Sequence, residues 1–205
     1  MLLRLGIFVF ALSMIIAGES FAQAKKKADK KMPSQEEMMK RWQEATTPGE
    51  AHKKLEAMVG TWDAEVKIWM NGPNGEPTVS KGTSENKFVL GGRYIEQDFT
   101  SEMMNQPFSG VGYTGYDNFN KKYVGFWIDN MSTAMSTMDG NADKSGKTFT
   151  MWGKMDEPMT GEKGKKVKYV TTVIDNDKHV FQVYDVTTYG DKKPTMQITY
   201  TRRKS

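Results

Sequence analysis

Few residues of this chain are placed to do chemistry. It has 205 residues and no cysteine, which excludes a thiol nucleophile, a thiolate-bound metal and thiol redox chemistry. Its two histidines are His52 and His179. Neither has a His, Asp or Glu cluster at ligand spacing around it, whereas a metal centre needs several converging donors; no metal site is expected. His52 lies beside Lys53 and Lys54 on a predicted helix and reads as a solvated side chain. His179 follows the turn sequence Asp175-Asn176-Asp177-Lys178. That turn resembles part of a calcium loop but lacks the later Gly and Glu positions. Methionine is abundant, with 16 in all. The group Met131, Met135 and Met138 could offer thioethers to Cu(I), but filling irregular cores is the commoner use of the residue and the expected one. Gly110-x-Gly112-x-x-Gly115 has the spacing of a dinucleotide fingerprint. It lies within a strand pattern and opens no helix, so it fails the context that motif needs; strand coiling or close packing is the expectation there.

Two pairs remain. Trp127 and Asp129 are two apart on one predicted strand and share a face, while Val124, Phe126 and Ile128 take the other. Turned inward, they would put a carboxylate and an aromatic ring in a cavity, as a ligand pocket does, and Asp129 could then serve an isomerase- or hydrolase-type enzyme. Turned outward, they are surface. The sequence leaves both directions open. Trp62 and Arg202 stand at the two ends of the strand-rich region. A cation–π contact between them, worth about 0.5–2 kcal/mol, would pin the first strand to the last.

The elements that must carry these residues follow from periodicity. Ser34-Gln35-Glu36-Glu37 is a capping box, and Met38, Met39 and Trp42 follow at helical spacing, as a stripe packed on the domain would. Thr47-Pro48-Gly49-Glu50 is a second capping box with Pro at the first helical position, followed by Leu55, Met58 and Val59. From Gly60 the period changes to 2: Trp62, Ala64, Val66, Ile68 and Met70 alternate with polar neighbours, the mark of a half-buried strand. Nine further strands are predicted near 78–90, 93–102, 108–117, 122–130, 132–139, 147–154, 166–175, 179–188 and 195–203, with turn residues between them. Asp156 to Gly161 is expected to form a wide loop. About ten strands with no helix between them predict an all-β antiparallel meander, which tends to close because open edges invite aggregation.

The N-terminus reads as an address. Arg4 precedes an uncharged run from Leu5 to Ala17, and Ser20-Phe21-Ala22 and Ala22-Gln23-Ala24 both fit small-x-small cleavage. The run is shorter than the roughly 20 residues a membrane span needs. The expected organisation is a signal peptide over 1–22, a basic linker and short helix over 23–47, and a β-barrel domain over 48–205. The formal charge is +4, but five of the lysines lie in residues 25–31, KKKADKK. Beyond residue 31, acidic and basic residues balance. The basicity therefore describes a solvated tail, able at most to tether weakly to an anionic surface, and no basic face for nucleic acid is expected.

Two local patterns resemble the lipocalin and fatty-acid-binding (calycin) superfamily. Gly60-Thr61-Trp62 opens the first strand after a short helix, and Tyr200-Thr201-Arg202 closes the last. A longer match resembles a bacterial family, domain of unknown function 1579. It runs through His52-Lys53-Lys54-Leu55, Val59-Gly60-Thr61-Trp62, Leu90-Gly91-Gly92-Arg93-Tyr94, Gly112 to Asp117, Tyr123 to Met131 and Ile198 to Arg202. The resemblance implies a calycin-like barrel and export to the periplasm or the extracellular space; it supplies no catalytic residues. Some barrels of the superfamily hold haem through one histidine, which makes haem at His179 an alternative to having no cofactor. The leading expectation is a non-catalytic barrel for a small apolar ligand, with Trp62, Trp127, Asp129, Tyr184, Tyr200 and Arg202 as candidate lining. An enzyme using Asp129 and a structural envelope protein with a filled barrel are the alternatives. Oligomeric state is left open.

Overall fold

The computed structural model describes residues 32–103 and 105–204. The expected signal peptide and the Lys-rich segment lie outside the described residues. The chain divides into two units, Met1–Gln43 and Glu44–Ser205. Among the described residues no helix is long and apolar enough to cross a membrane.

Helix α1 (Gln35–Thr46) starts at the expected capping box. Ser34 Oγ accepts from the Glu37 N–H at 3.2 Å, and Glu37 Oε2 accepts from the Ser34 N–H at 2.8 Å. No residue of α1 is buried. Helix α2 (Glu50–Lys53) continues into a 3-10 turn, Lys54–Met58. Its N-cap is Gly49 rather than Thr47. The imidazole at the third helical position does the work expected of a glutamate: His52 Nδ1 accepts from the Gly49 N–H at 3.1 Å. That use of the ring corrects the reading of His52 as solvated. It is buried, with its edge against Tyr116, and burial lowers its pKa.

Ten strands follow in a simple meander: β1 (Gly60–Ile68), β2 (Thr78–Val89), β3 (Tyr94–Met103), β4 (Gln106–Asp117), β5 (Lys122–Asp129), β6 (Ser136–Ala142), β7 (Thr148–Glu157), β8 (Glu162–Asp175), β9 (Lys178–Asp185) and β10 (Met196–Arg202). Each pairs antiparallel with the next, and β1 pairs with β10, so the sheet is a closed barrel without edges. The all-β meander expected from the spacing is what forms. Three boundaries differ from the periodicity. β6 begins late because Asp129 Oδ1 and Ser132 Oγ hold the Met131 and Ala134 N–H groups in turns. The wide loop expected over 156–161 is instead a tight connection in which Glu157 faces Glu162. β9 stops at Asp185, whose carboxylate accepts from the Thr188 N–H at 3.0 Å and caps a short helix α3 (Val186–Tyr189).

The segment before β1 closes one end of the barrel. Leu55 is 0% exposed and packs with Ile95, Tyr123, Phe149 and Val173. The freed carbonyls of that segment are satisfied from the strands: Tyr123 OH donates to Ala51 O, Asn86 Nδ2 to Met58 O and Arg202 to Val59 O. This answers the need of helix C-terminal carbonyls for partners and fixes the plug to four separate strands once Trp62 Nε1, also bonded to Met58 O at 3.0 Å, is included.

Candidate ligand lumen

Ladder register decides which residues see the interior, because successive side chains alternate between the two faces of a strand. Trp62 faces Arg202, Tyr200 faces His179, and His179 faces Val173. On the other side Phe99 faces Gly110, and Gly110 faces Asp129. All of these point inward. The direction left open by the sequence is therefore resolved: Trp127 and Asp129 lie on the inner face.

The glycines of β4 explain how an indole fits there. A Cβ on Gly110 would lie 2.1 Å from Trp127 Cζ2, and one on Gly112 would lie 2.8 Å from Trp127 Cε3. The Trp127 ring thus rests on bare backbone, which is the close packing expected of those glycines. Its Nε1 donates to Asp129 Oδ2 at 2.9 Å, and Asp129 Oδ1 accepts from the Met131 N–H at 3.0 Å. Phe108 stacks beside the indole, and Phe99 meets it edge-on. These rings form an aromatic wall at the end opposite the helical plug.

Inside the plugged end, four candidates serve closure. Trp62 is 0% exposed, with the Arg202 guanidinium 4.1 Å from its ring centroid. The remaining Arg202 donors reach Asn176 O and Val59 O. His179, 3% exposed, stacks on Tyr200 with centroids 4.3 Å apart and receives the edge of Trp62 at the same distance. Among the described residues its Nδ1 has no hydrogen-bond partner. Burial, with the nearby Arg202 charge, pushes its pKa down to about 3. Tyr200 OH accepts from Gln97 Nε2, which also donates to Ser84 Oγ; burial raises the Tyr200 pKa. Trp62 and Tyr200 are inward and buried, and half-buried Arg202 covers the Trp62 ring. Tyr184 is the candidate that the register turns the other way. It faces Lys168 on the outer surface, with the ammonium 4.1 Å from its ring, and its hydroxyl donates to Gln182. It lines no lumen.

Between these two ends the interior is not continuous core. Compact domains usually have one contiguous cluster. Here there are two: one around Leu55, Tyr123, Phe149, Val167 and Tyr169, the other around Trp62, Val66, Phe99, Ile198 and Tyr200. Phe181 touches both. The inward residues between them, Gln97, Thr114, Met138, Thr171, Phe181 and Val183, are half-buried, as is Trp127. In a closed barrel, an inward side chain that stays half-exposed borders open interior space. At the unplugged end an ion pair points inward: Lys165 Nζ lies 2.6 Å from Asp185 Oδ2, with side chains 7% and 10% exposed. The hydrogen bond that Lys165 donates to Asp185 raises the Lys165 pKa. For Asp185, burial pushes upward, but the bonds from Lys165 and Thr188 hold it below its ordinary value.

The sequence did not single out Gln97, Phe181, Lys165 or Asp185. Gln97 and Phe181 sit within ordinary strand patterns. Lys165 belongs to the run Glu162-Lys163-Gly164-Lys165-Lys166, which hides the one lysine whose strand parity matches Val167 and Tyr169.

The model of the family DUF1579, described as a protein of unknown function, matches residues 47–202. The crystal structure of Rv2717c from M. tuberculosis is similar at a TM-score of 0.56 and 12% identity, covering 77% of this chain and 100% of that one. The likeness is one of fold. Among curated proteins none matches the chain.

Proposed function

Because the chain belongs to the DUF1579 family, whose function is unknown, its role has to be read from its own geometry, and we propose that it is an exported, non-catalytic barrel that holds a small, largely apolar molecule in its lumen. The observation that carries this reading is the band of half-exposed inward side chains, Gln97, Thr114, Thr171, Phe181 and Val183, between two separate buried clusters. Apolar lining with a few convergent polar groups suits an apolar ligand with one polar atom; Gln97 and the Trp127–Asp129 pair supply such groups. A filled structural barrel is disfavoured by the same band. An enzyme built on Asp129 is disfavoured because both carboxylate oxygens are already engaged by Trp127 and Met131. Haem is disfavoured because His179 is enclosed by Tyr200 and Trp62 at the plugged end rather than presented to the lumen. Residues 25–31 would add a weak electrostatic hold on an anionic envelope surface after export to the periplasm or beyond.

The test is dodecanol binding, followed by tryptophan quenching and native mass spectrometry, in the mature protein and in Val183→Trp, which fills the band. Binding in the native protein and its loss in the folded variant is the expected result. No quenching and no bound mass, or equal binding by the variant, overturns the lumen. A Soret band on adding haemin to native protein, absent in His179→Phe, would favour the cofactor instead.

A further inference from the structure

One concavity of the protein lies outside its lumen. A groove of about 1090 Å³ lies on the outer surface across β3 to β8, slightly above the roughly 300–1,000 Å³ typical of a site for one small molecule. Its shape follows from outward residues. On one side Tyr113 and Phe126 stack with centroids 5.1 Å apart. On the other stands Trp152, with Lys166 Nζ 4.2 Å from its ring centroid. Between them β6 contributes Thr137 and Asp139 to the groove, opposite Phe126 and Val124. A strand of short outward side chains between two aromatic walls makes a valley.

The charges of this valley are unbalanced. Asp139 is its one lining carboxylate, and it is held by Lys122 at 3.0 Å. Lys154 and Lys166 are ladder partners on β7 and β8, both outward and both exposed. Like charges directly opposite on one sheet face repel. Among the described residues neither forms an ion pair, and the nearest carboxylate on the same face of β7, Asp156, accepts from the Gly164 N–H. Two facing ammonium groups without a counter-charge thus flank one side of a groove whose lining is mostly aromatic and aliphatic.

We propose that this outer groove is a second binding site, for a single-chain amphiphile with an anionic head, whose head bridges Lys154 and Lys166 while its apolar chain lies along Phe126 and Tyr113 toward Tyr94. An anion between the two lysines removes their repulsion and forms charge-assisted hydrogen bonds with both. The chain covers rings that otherwise face water. A neutral or cationic amphiphile gains only the second part. The chain's own Lys-rich segment is the wrong sign to fill the groove.

The experiment uses dodecanoate and dodecyltrimethylammonium, each below its micelle concentration, against the mature protein, read by amide and indole NMR shifts. Dodecanoate is expected to shift Val124, Thr137 and the Trp152 indole N–H. In Lys154→Glu/Lys166→Glu its Kd is expected to rise at least tenfold, while the dodecanol binding that reports the lumen is unchanged. Both side chains are exposed, so the variant keeps its fold. Equal affinity for the cation, shifts confined to Gln97 and Phe181, or an unchanged Kd in the double variant would overturn the proposal. So would binding only to phosphatidylglycerol vesicles with none to monomeric dodecanoate, which would make the groove a membrane-facing surface.

Discussion

His179 makes a quantitative prediction about acid stability. Its ring is buried between Tyr200 and Trp62 with an unpartnered Nδ1, and its pKa falls from 6.5 to about 3. A depressed histidine stabilises the fold above its unfolded pKa. That contribution is lost as pH falls from 6.5 toward 3, because the unfolded chain takes up a proton that the folded chain refuses. Each unit is about 1.4 kcal/mol, so at pH 5 the loss from this group is on the order of 2 kcal/mol. The window from pH 6.5 to 5 lies above the range where Asp117, Asp143 and Glu96, all depressed by hydrogen bonds, begin to contribute. His52 is depressed in the same sense and is common to both proteins of the comparison. The assay is urea unfolding at pH 7 and pH 5 for the native chain and for His179→Phe, which keeps a ring against Tyr200. The native protein should lose about 2 kcal/mol more than the variant over that interval. Equal losses, or an imidazole resonance of His179 titrating above pH 5, would refute the reasoning.

Further substitutions test the interior, with a turn glycine as control. Gly110→Ala drives a methyl into the Trp127 ring and should cost about 1–3 kcal/mol, read as a lower urea midpoint with altered tryptophan emission. Gly75→Ala, where the nearest atom to the new Cβ is 3.6 Å away, should stay within about 0.5 kcal/mol of the native chain. Lys165→Met leaves the Asp185 carboxylate buried without its partner and should cost about 3–5 kcal/mol. Lys165→Met/Asp185→Asn should recover most of that loss in thermal melts, because asparagine can still cap α3.

The barrel was legible because its signals are local. A period of 2 from Trp62 onward and turn residues at short intervals define strands without reference to tertiary contacts. The errors lie where one side chain took a backbone group and changed the local outcome: His52 replacing a glutamate in a cap, Asp185 ending β9 early, Asp129 and Ser132 delaying β6. The pairing of Trp127 with Asp129 was visible as a spacing. Its direction was not, since either face of that strand is apolar enough to be inside. Only the register against Phe99 and Gly110 settles it. Tyr184 shows the converse: an aromatic residue in a strand beside lysines can be covered by an ammonium on the outer face as readily as it can line a cavity.

The residues that announce this fold in the sequence are therefore poor guides to its use. Trp62, Tyr200 and Arg202 are occupied in joining β1 to β10 and in holding the helical plug. Together with His179 they form a stack at the plugged end of the barrel. The proposed ligand sites lie elsewhere, above that stack and outside the sheet, where the lining residues are unremarkable in sequence: a glutamine, a phenylalanine, a threonine, a pair of lysines. The two proposed sites differ in what they ask of a ligand. The lumen is flanked at its unplugged end by an ion pair whose charges already satisfy each other, so it offers little to a second charge. The outer groove has two ammonium groups with none. Binding of a neutral chain and of an anionic chain of the same length should consequently be separable by single-site changes, the first by Val183→Trp and the second by reversing Lys154 and Lys166.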